Sequence, residues 1–594
     1  MPLFRFRDPI LLSGSLLFAF AALGQSSTVA PEAVPAATLH VTTNLVLVDV
    51  VVTERDKAAH GLERSRFHVL EDGREQTIVS FDEHQPAAAN APAAKPVALP
   101  PHTYTNVPAY REATAVNVLL LDGLNTISAN QEDVRKQMLQ YIGTIRPGTS
   151  IAIFALSTHL RQLSGFTTDP AELTKVLKNK KAGATSSKLL DPEADKLEDF
   201  EIDDMAHVPM IPAQVVADAR QFQADTRAAD TDQRVAMTVE ALQDLARYLS
   251  GIPGRKNLIW FSGSFPIALD PDVTLDDPSR AVRNYAAQIR ETTDLLSAAR
   301  VAVYPVDARG LISLPSSDVS TMSTSGMRPT STVAMGAADA QAVRELGPER
   351  GAMQAIAAAT GGREFNNTNG LKEAVADAVE NGSSYYTIGY VPAVKQLDGQ
   401  FRKLQVKVDG GKYKLAYRNG YYADPPDKPT EHTLVKSSLM LDAILKGAPA
   451  ATQILFQMRV LKGSDPLLVD ANLPAGPLGE LAAGLKGPLQ RTVVDLKVDP
   501  RGFAYEETPD EARHASAEFT LVAYGEDGQR VNYSNHGIQL NLKKEQYREI
   551  RRTGLPVRLA LDLPAGGYWL RVAVRDRVTG RIGSLEVPLA VAGK

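Results

Sequence analysis

A short apolar segment that ends in polar residues constrains the fold of this chain more than any other feature. Residues 116–121 are apolar except for Asn117, and an acid, a glycine and small polar side chains follow over residues 122–126. The segment is too short for a typical helix and stops near a glycine, which indicates a strand buried on both faces. Because open α/β sheets bind ligands beyond the carboxyl ends of their strands, residues 122–126 are predicted to face a binding crevice.

Strand and helix patterns alternate through the middle of the chain, which predicts a mostly parallel sheet covered on both faces. The predicted strands are residues 116–121, 151–156, 160–166, 257–264, 301–307 and 385–390. Apolar residues at helical spacing predict helices over residues 131–145, 234–249, 280–300, 353–359 and 371–380. We therefore predict a doubly wound, Rossmann-like α/β domain over residues 112–388.

β patterns flank this region on both sides, so the fold class is multi-domain. Residues 41–85 contain strands and a hairpin turn at Asp72-Gly73, and residues 389–422 form a second hairpin that we expect to pair with them. Short strands between turn signals predict an antiparallel, Ig-like β-sandwich over residues 431–594. Residues 86–111 and 423–430 are predicted linkers. Strands at 519–523, 557–563, 568–574 and 585–591 and a helix at 543–552 are expected in the sandwich.

The first residues have the features of an export signal. Arg5 and Arg7 precede an apolar stretch over residues 10–23, and small residues before Gln25 are typical of a cleavage site. The stretch is shorter than the roughly 20 residues that a membrane-spanning helix requires. We predict a signal peptide over residues 1–24, a flexible leader over residues 25–40, and a periplasmic or secreted mature protein without a transmembrane span.

Composition and motifs exclude several classes of function. The sequence has no cysteine, which excludes disulfides, a thiolate nucleophile and cysteine-ligated zinc. A formal net charge of −5 gives no basic footprint for nucleic acid. The ten histidines form no H-E-x-x-H motif, and neither a G-x-S-x-G elbow nor a phosphate-binding G-x-x-x-x-G-K-[S/T] loop is present. With no catalytic constellation visible, we predict that the protein is not an enzyme.

With its strands placed, the central region resembles the von Willebrand factor type A (vWA) domain family. The segments that carry the resemblance are the strand ending at Asp122, residues 151–156 with 166–169, residues 258–263, residues 301–307, and residues 356–362 with Phe365. Residues 67–72, 385–390 and 401–402 resemble the flanks of exported VWFA-related proteins common in Acidobacteria.

The resemblance implies a Mg²⁺ site at the carboxyl edge of the sheet, built from a D-x-S-x-S motif, a loop threonine and an aspartate after the fourth main strand. Asp122 matches the first acid, Thr126 the second hydroxyl and Thr185 the loop threonine. Leu124 stands where the first serine is expected, and Ser262 replaces the usual aspartate. The resemblance therefore implies a degenerate site with weak affinity for Mg²⁺. In the alternative interpretation, Asp122, Asn125 and Thr126 only satisfy backbone groups at a strand-to-helix turn.

Two functions from different classes remain open. In the first, the chain is an exported adhesion or scaffold protein that recognises an unidentified extracytoplasmic protein. Its binding face would contain Asp122, Asn125, Thr126 and Ser262, together with predicted loops at residues 181–232 and 311–345. In the second, the chain is an accessory subunit or hydrolase of the cell envelope with an active site that no known motif reveals.

Overall fold

The computed structural model describes residues 45–86, 99–107, 115–179, 208, 210–309, 351–423 and 440–592. Within these ranges it does not describe residues 253, 264, 266–267, 270–274, 276, 278–279, 281, 367–369, 395, 441–442, 469–477, 484, 486 and 509–510. The predicted signal peptide, the predicted leader, Thr185 and the predicted loop at 311–345 lie outside the described residues. Among the described helices, none has the length and apolar character needed to cross a membrane.

Strands and helices are both abundant, which confirms a mixed α/β protein with several sheets. In chain order the strands are β1 (Val46–Glu54), β2 (Lys57–Ala58), β3 (Phe67–Glu71), β4 (Arg74–Gln76), β5 (Ile78–His84), β6 (Thr103–Thr105), β7 (Val116–Asp122), β8 (Ile151–Leu156), β9 (Leu160–Thr167), β10 (Lys256–Ser262), β11 (Ala268–Leu269), β12 (Arg283–Asn284), β13 (Val301–Asp307), β14 (Tyr385–Tyr390), β15 (Phe401–Val408), β16 (Lys414–Ala416), β17 (Gly420–Tyr422), β18 (Phe456–Lys462), β19 (Gln490–Val498), β20 (Glu506–Glu507), β21 (Arg513–Gly525), β22 (Arg530–Leu542), β23 (Leu555–Leu563), β24 (Gly566–Asp576) and β25 (Ile582–Val591). The α-helices are α1 (Ser128–Ile142), α2 (Pro170–Lys178), α3 (Ala213–Ser250), α4 (Ala286–Ala298), α5 (residues 351–360), α6 (Leu371–Gly382) and α7 (Lys544–Thr553). Short 3-10 helices occur at Arg64–Arg66, Pro466–Leu468 and Pro500–Gly502.

The central sheet has the strand order β13-β10-β7-β8-β9. β7 pairs in parallel with β8 and β10, and β10 pairs in parallel with β13, whereas β9 is antiparallel to β8. The chain therefore adds β8 and β9 on one side of β7, and then adds β10 and β13 on the other side. The reversal falls between β7 and β10, and in open α/β sheets ligands bind at such a reversal, beyond the carboxyl ends of the strands.

Helices cover both faces of this sheet. Leu119, Ile153 and Ile259 belong to a core that includes residues of α1, α2 and α6. Leu120 and Trp260 belong to the core on the opposite face, which includes residues of α3, α4 and α5. Successive residues of a strand point to opposite faces, so a nearly continuous apolar run is what a sheet with two buried faces requires.

The helix α3 is longer than the sequence pattern predicted. It contains 38 residues, about 57 Å at 1.5 Å per residue, whereas the predicted helix covered only residues 234–249. Residues 213–232, expected to be loop, are helical because Ala, Gln and Arg are frequent there and neither Pro nor Gly interrupts the segment. Their apolar periodicity is weak, so the periodic pattern did not reveal them.

The N-terminal part of α3 extends beyond the carboxyl edge of the central sheet. Thr238 accepts a hydrogen bond from the Asn125 side chain at 2.8 Å and so lies level with the end of β7. The C-terminal end of α3 leads into the start of β10 at the opposite edge of the sheet. Residues 213–237, about 37 Å of helix, therefore continue past the strand ends, where Asp225 and Asp232 pair with Arg280 and Arg283, each at 2.7 Å.

Residues 46–84 and 385–422 form a small antiparallel β unit. One sheet has the order β16-β1-β14-β5 with β2 beside β1, and the other has the order β17-β15-β3-β4. The pairing of β3 with β15 and of β1 with β16 joins the two segments that the sequence analysis expected to meet. Both sheets contribute to one core, which includes Val48, Val50, Phe67, Val69, Tyr386, Ile388, Leu404 and Val406.

The strand β14 belongs to this small unit and not to the central sheet, although the prediction assigned residues 385–388 to the central domain. It pairs antiparallel with β1 and β5, and each of its residues is buried. A short, fully buried apolar strand fits the middle of a parallel or an antiparallel sheet equally well, so the sequence pattern does not distinguish the two.

Two antiparallel sheets face each other in the C-terminal part of the chain. The first has the order β23-β19-β18-β6, and in the second β21 lies between β22 and β24, with β25 beyond β24. Val494 and Leu559 of the first sheet share a core with Phe519 and Val572 of the second. The four strands expected there fall within β21, β23, β24 and β25, and the expected helix corresponds to α7.

An additional strand of this sandwich comes from the segment predicted as the linker 86–111. Thr103–Thr105 pairs antiparallel with β18. The buried Asn106 side chain donates to the carbonyl oxygens of Ala451 and Ile454, both at 2.9 Å, and accepts from the amide of Phe456 at 2.8 Å. The chain therefore contacts the C-terminal sandwich before it enters the central sheet.

Candidate functional site

The carboxylate of Asp122 lies at the end of β7 and is almost completely buried. One oxygen, Oδ1, accepts hydrogen bonds from the backbone amides of Leu124 at 3.1 Å and Asn125 at 2.9 Å. The other, Oδ2, accepts from Asn125 Nδ2 at 2.8 Å, Trp260 Nε1 at 3.1 Å and Ser262 Oγ at 2.9 Å. Five protein donors thus converge on a single carboxylate where the strand order reverses.

Thr126 connects the turn after β7 to the end of β10. Its hydroxyl oxygen accepts a hydrogen bond from the Gly263 amide at 2.9 Å, and its carbonyl accepts from Gln131 Nε2 at 2.6 Å. A Cβ atom at Gly263 would lie 2.7 Å from the Asn125 carbonyl oxygen, so only glycine fits this close approach. The turn is therefore held against β10 as well as against α3.

Four of the five sequence-predicted site residues meet at this point, and Thr185 lies outside the described residues. Asp122, Asn125, Thr126 and Ser262 are each at most 4% exposed. Because these residues are buried, a partner would first contact the side chains around them. Their assignment to partner binding remains a prediction.

Sequence reasoning missed three residues of the site: Trp260, Thr238 and Gly263. Trp260 lies two residues before Ser262 in β10, so both side chains point to the same face of the sheet. That spacing is a signal that could have identified Trp260. Thr238 could not be found in this way, because its contact joins a helix to a turn that precedes it by more than a hundred residues.

Burial and hydrogen bonding act in opposite directions on Asp122. Burial is the larger effect and keeps the pKa of the Asp122 carboxyl group above its ordinary value, although hydrogen bonds from Asn125, Ser262 and Trp260 lower it in part. The acid at the end of the neighbouring strand β13 differs, because Arg309 forms an ion pair with Asp307 at 3.0 Å. At Asp122, N–H and O–H dipoles thus offset part of the cost of burying the negative charge.

The residues present do not fit the Mg²⁺ site that the vWA resemblance implies. Mg²⁺ requires near-ideal octahedral coordination by oxygens at about 2.0–2.1 Å and usually keeps several waters. A carboxylate offers roughly four lone-pair directions, and Asp122 already accepts five hydrogen bonds. The Leu124 side chain is completely buried in the apolar core, and Ser262 directs its proton at Asp122. Within the part of the chain that the structure describes, no three His, Asp or Glu side chains group as a metal site.

The space beside Asp122 is also small. A cavity of about 20 Å³ lies there, with Gln131, Val134 and Phe261 in its lining. One water needs roughly 10–15 Å³ by the same kind of measure, so the cavity holds about one water.

Exposed apolar side chains occur on the projecting part of α3. Phe222 is 74% exposed and Val215, two helical turns earlier, is 45% exposed. Met210, just before the helix, is 92% exposed. Residues seven apart lie on the same side of a helix, so Val215 and Phe222 form one apolar stripe. We call Met210, Val215 and Phe222 the α3 stripe.

A larger cavity of about 430 Å³ lies between the central sheet and the C-terminal sandwich. Its lining includes Gln162 and Ser164 of the edge strand β9, Tyr248 of α3, and Arg571 and Glu586 of the sandwich. The buried Arg571 guanidinium donates to the carbonyl oxygens of residues 443, 448 and 449 and lies 3.4 Å from Glu586 Oε2. The cavity is therefore lined by neutral polar groups, apolar side chains such as Leu163 and Leu585, and one internally compensated ion pair.

Comparisons with known proteins give only remote similarity. The sequence matches no protein-family model, and no curated protein matches it. Among solved structures, the chain is similar to the conserved hypothetical protein BatB from Bacteroides thetaiotaomicron, with 9% identity over 45% of this chain and 97% of that chain, at a TM-score of 0.20. It is also similar to the SpRpn10 VWA domain, with 9% identity over 33% and 75% of the two chains and a TM-score of 0.16. The pilus adhesin SpaC from Lactobacillus rhamnosus GG shows 8% identity over 81% and 54%, with a TM-score of 0.24. At these scores the similarities carry no conclusion about function.

Proposed function

We propose that this chain is an exported protein that recognises another extracytoplasmic protein through the carboxyl edge of its central sheet. In this proposal the central unit is a vWA-type domain with a degenerate metal site, carried between a small β-domain and an Ig-like sandwich, and its role is adhesion or scaffolding. A signal peptide over residues 1–24 would direct the protein to the periplasm or the medium. The strand reversal between β7 and β10 supports this location for the binding face, because ligands of open α/β sheets bind there.

The α3 stripe is the observation that carries the proposal. It lies near the start of α3, which continues past the carboxyl edge of the sheet, the edge at which Asp122 lies. Exposed apolar side chains scattered singly are ordinary, but Val215 and Phe222 on one side of a helix, with Met210 just before it, present a surface that gains free energy by contact with a partner. Large apolar anchors of this kind often dominate the free energy of protein–protein binding.

The proposal includes no catalytic step at Asp122. A general base needs a free lone pair within reach of the proton it removes, and both oxygens of this carboxylate already accept hydrogen bonds from the protein.

A capture experiment with matched variants tests partner recognition. The mature protein is immobilised, exposed to an envelope extract, and captured proteins are identified by mass spectrometry. Binding of the captured protein is then measured for wild type and Phe222→Glu. We expect Phe222→Glu to weaken binding about ten-fold or more, equivalent to ~1.4 kcal/mol. The control is Val578→Glu in the sandwich, where Val578 is 43% exposed. Equal binding by wild type and Phe222→Glu would refute the assignment of the face.

A second candidate function is favoured by the cavity between the central sheet and the sandwich. Its volume lies within the 300–1,000 Å³ range of small-molecule sites, and such sites often lie where domains meet. An accessory subunit or hydrolase of the cell envelope would use such a site. Turnover of a cell-wall or peptide substrate by the purified protein, lost in Glu586→Gln, would favour this function over partner recognition.

A further inference from the structure

We infer that the carboxyl edge of the central sheet binds no metal ion, because a hydrogen-bond network that includes Trp260 and Ser262 occupies the carboxylate oxygens of Asp122. This inference deepens the proposed function and rests on it for one consequence, that partner recognition there needs no metal ion. We call Asp122, Asn125, Thr238, Trp260 and Ser262 the closed network.

Five donors surround the carboxylate of Asp122. Two backbone amides, at 3.1 and 2.9 Å, occupy Oδ1, and three side-chain donors, at 2.8–3.1 Å, occupy Oδ2. An ionised carboxylate only accepts hydrogen bonds, so each donor lowers the free energy of the charged form. A cation at either oxygen would have to displace donors that are already in place.

Trp260 contributes the donor that is hardest to displace. An indole N–H donates and cannot accept, so it cannot turn a lone pair towards a metal. The Trp260 side chain is completely buried and packs edge-on against Phe265, with ring centroids 5.3 Å apart. Rotation of the indole away from Asp122 would break this packing as well as the hydrogen bond.

Ser262 and Leu124 remove what a cation would need. Ser262 supplies an O–H donor where a second carboxylate would add a negative charge, so Asp122 remains the only acid in the network. The Leu124 side chain is buried in the same core as Trp260 and Phe265. A side chain with a ligand oxygen at position 124 would therefore place a polar group in the apolar core, which is unfavourable.

The network also connects three elements. Asn125 Nδ2 donates both to Asp122 Oδ2 and to Thr238 Oγ1, each at 2.8 Å, and Thr238 in turn donates to the Arg234 carbonyl. The end of β7, the end of β10 and the middle of α3 are thus joined through one carboxylate. The network therefore helps to orient α3, together with the core packing of Val235 and Val239 and the ion pair between Asp232 and Arg283.

Fluorine NMR of the full mature chain labelled with fluorotryptophan tests this inference. The chain has two tryptophans, so Trp260 at the network and the 38%-exposed Trp569 of β24 give one signal each. Mn²⁺ is the probe, because it occupies Mg²⁺ sites and broadens nearby signals. The titration extends to about 5 mM, above the roughly 10⁻⁴–10⁻³ M dissociation constants of weak extracellular cation sites.

We expect the Trp260 signal of the wild type to keep its width relative to Trp569 throughout the titration. Selective loss of the Trp260 signal would overturn the inference, because it would place the ion at Asp122. In Asp122→Asn, which keeps the side-chain volume, we expect the Trp260 signal to shift while Trp569 stays unchanged. A Trp260 signal that does not respond to Asp122→Asn would overturn the inference as well. Failure of partner capture would refute the proposed function without affecting either result.

Discussion

At the scale of single residues, Asp122 determines the stability of the central sheet's carboxyl edge. Asp122→Ala would leave five donors without their acceptor in a buried site, and an unsatisfied buried group costs about 1–3 kcal/mol. Partial rearrangement would satisfy some of these donors, so we expect a loss of about 3–5 kcal/mol in the free energy of unfolding of the central unit. Trp260 fluorescence in a Trp569→Phe background reports this transition selectively during urea unfolding.

The control for Asp122→Ala is Glu172→Ala, which removes an exposed carboxylate from the first turn of α2. An exposed acid at a helix N-terminus contributes about 0.3–1 kcal/mol, so the control should change little. Equal effects of the two substitutions would show that the buried hydrogen bonds of Asp122 contribute no net stability.

His68 is the residue for which a pH effect is expected. Its Nδ1 lies 2.7 Å from Glu75 and its Nε2 lies 3.1 Å from Asp409, and these hydrogen bonds raise the pKa of His68 above its ordinary value of 6.5. A raised folded-state pKa stabilises the fold below pH 6.5, and that stabilisation is lost as the pH rises through the folded-state pKa. NMR titration should place the His68 midpoint above 6.5 in the wild type and lower in Asp409→Asn.

At the scale of elements, the contact between the end of β10 and the turn after β7 requires a glycine. A Cβ at position 263 would lie 2.7 Å from the Asn125 carbonyl oxygen and 3.3 Å from Thr126 Cα, and backbone atoms cannot move aside cheaply. We expect Gly263→Ala to destabilise the central unit by about 1–3 kcal/mol. The matched control is Gly351→Ala, at a helical position where an added Cβ meets nothing within 4 Å. Because alanine favours helix more than glycine does, the free energy of unfolding should stay equal or rise slightly. Thermal unfolding of both variants distinguishes them.

The predictability of each element followed the strength of its local pattern. The buried strands β7, β8, β10 and β13 were predictable as strands because their apolar runs are short and end at Gly or polar residues. The N-terminal half of α3 was not, since it has good helix formers but no core-facing periodicity. Strand β14 was identified as a strand, but its neighbours depend on non-local pairing that no local pattern encodes.

The candidate site divides in the same way between local and non-local information. Asp122, Asn125 and Thr126 were identified because a polar turn directly follows an apolar strand. The donors that complete the site come from β10 and α3, and only the folded arrangement brings them to Asp122. At position 262 the sequence shows a serine in place of the metal-ligating aspartate that the vWA resemblance implies. The structure shows that this serine donates a hydrogen bond to the Asp122 carboxylate.

At the scale of the whole molecule, the segment around Asn106 connects the C-terminal sandwich to the rest of the chain. β6 adds an edge strand to β18, and the Asn106 side chain makes three hydrogen bonds to backbone groups of residues 451, 454 and 456. The sandwich contacts the central unit independently where Thr452 Oγ1 donates to the Tyr248 carbonyl at 2.6 Å and accepts from the Gly251 amide at 3.0 Å. These separate attachments therefore both help to hold the sandwich in place.

We expect Asn106→Ala to release the first attachment and leave the second. The substitution leaves one amide and two carbonyl groups without their buried partner, at a cost of about 1–3 kcal/mol each before relaxation. Hydrogen exchange should accelerate selectively in β6 and in the facing half of β18, while β21 and β24 in the opposite sheet keep their protection. The control is Val107→Ala, which shortens a neighbouring side chain that is 41% exposed. If exchange rose equally throughout the sandwich, Asn106 would stabilise the whole unit and not only its edge strand, because local opening and global unfolding differ in which amides they expose.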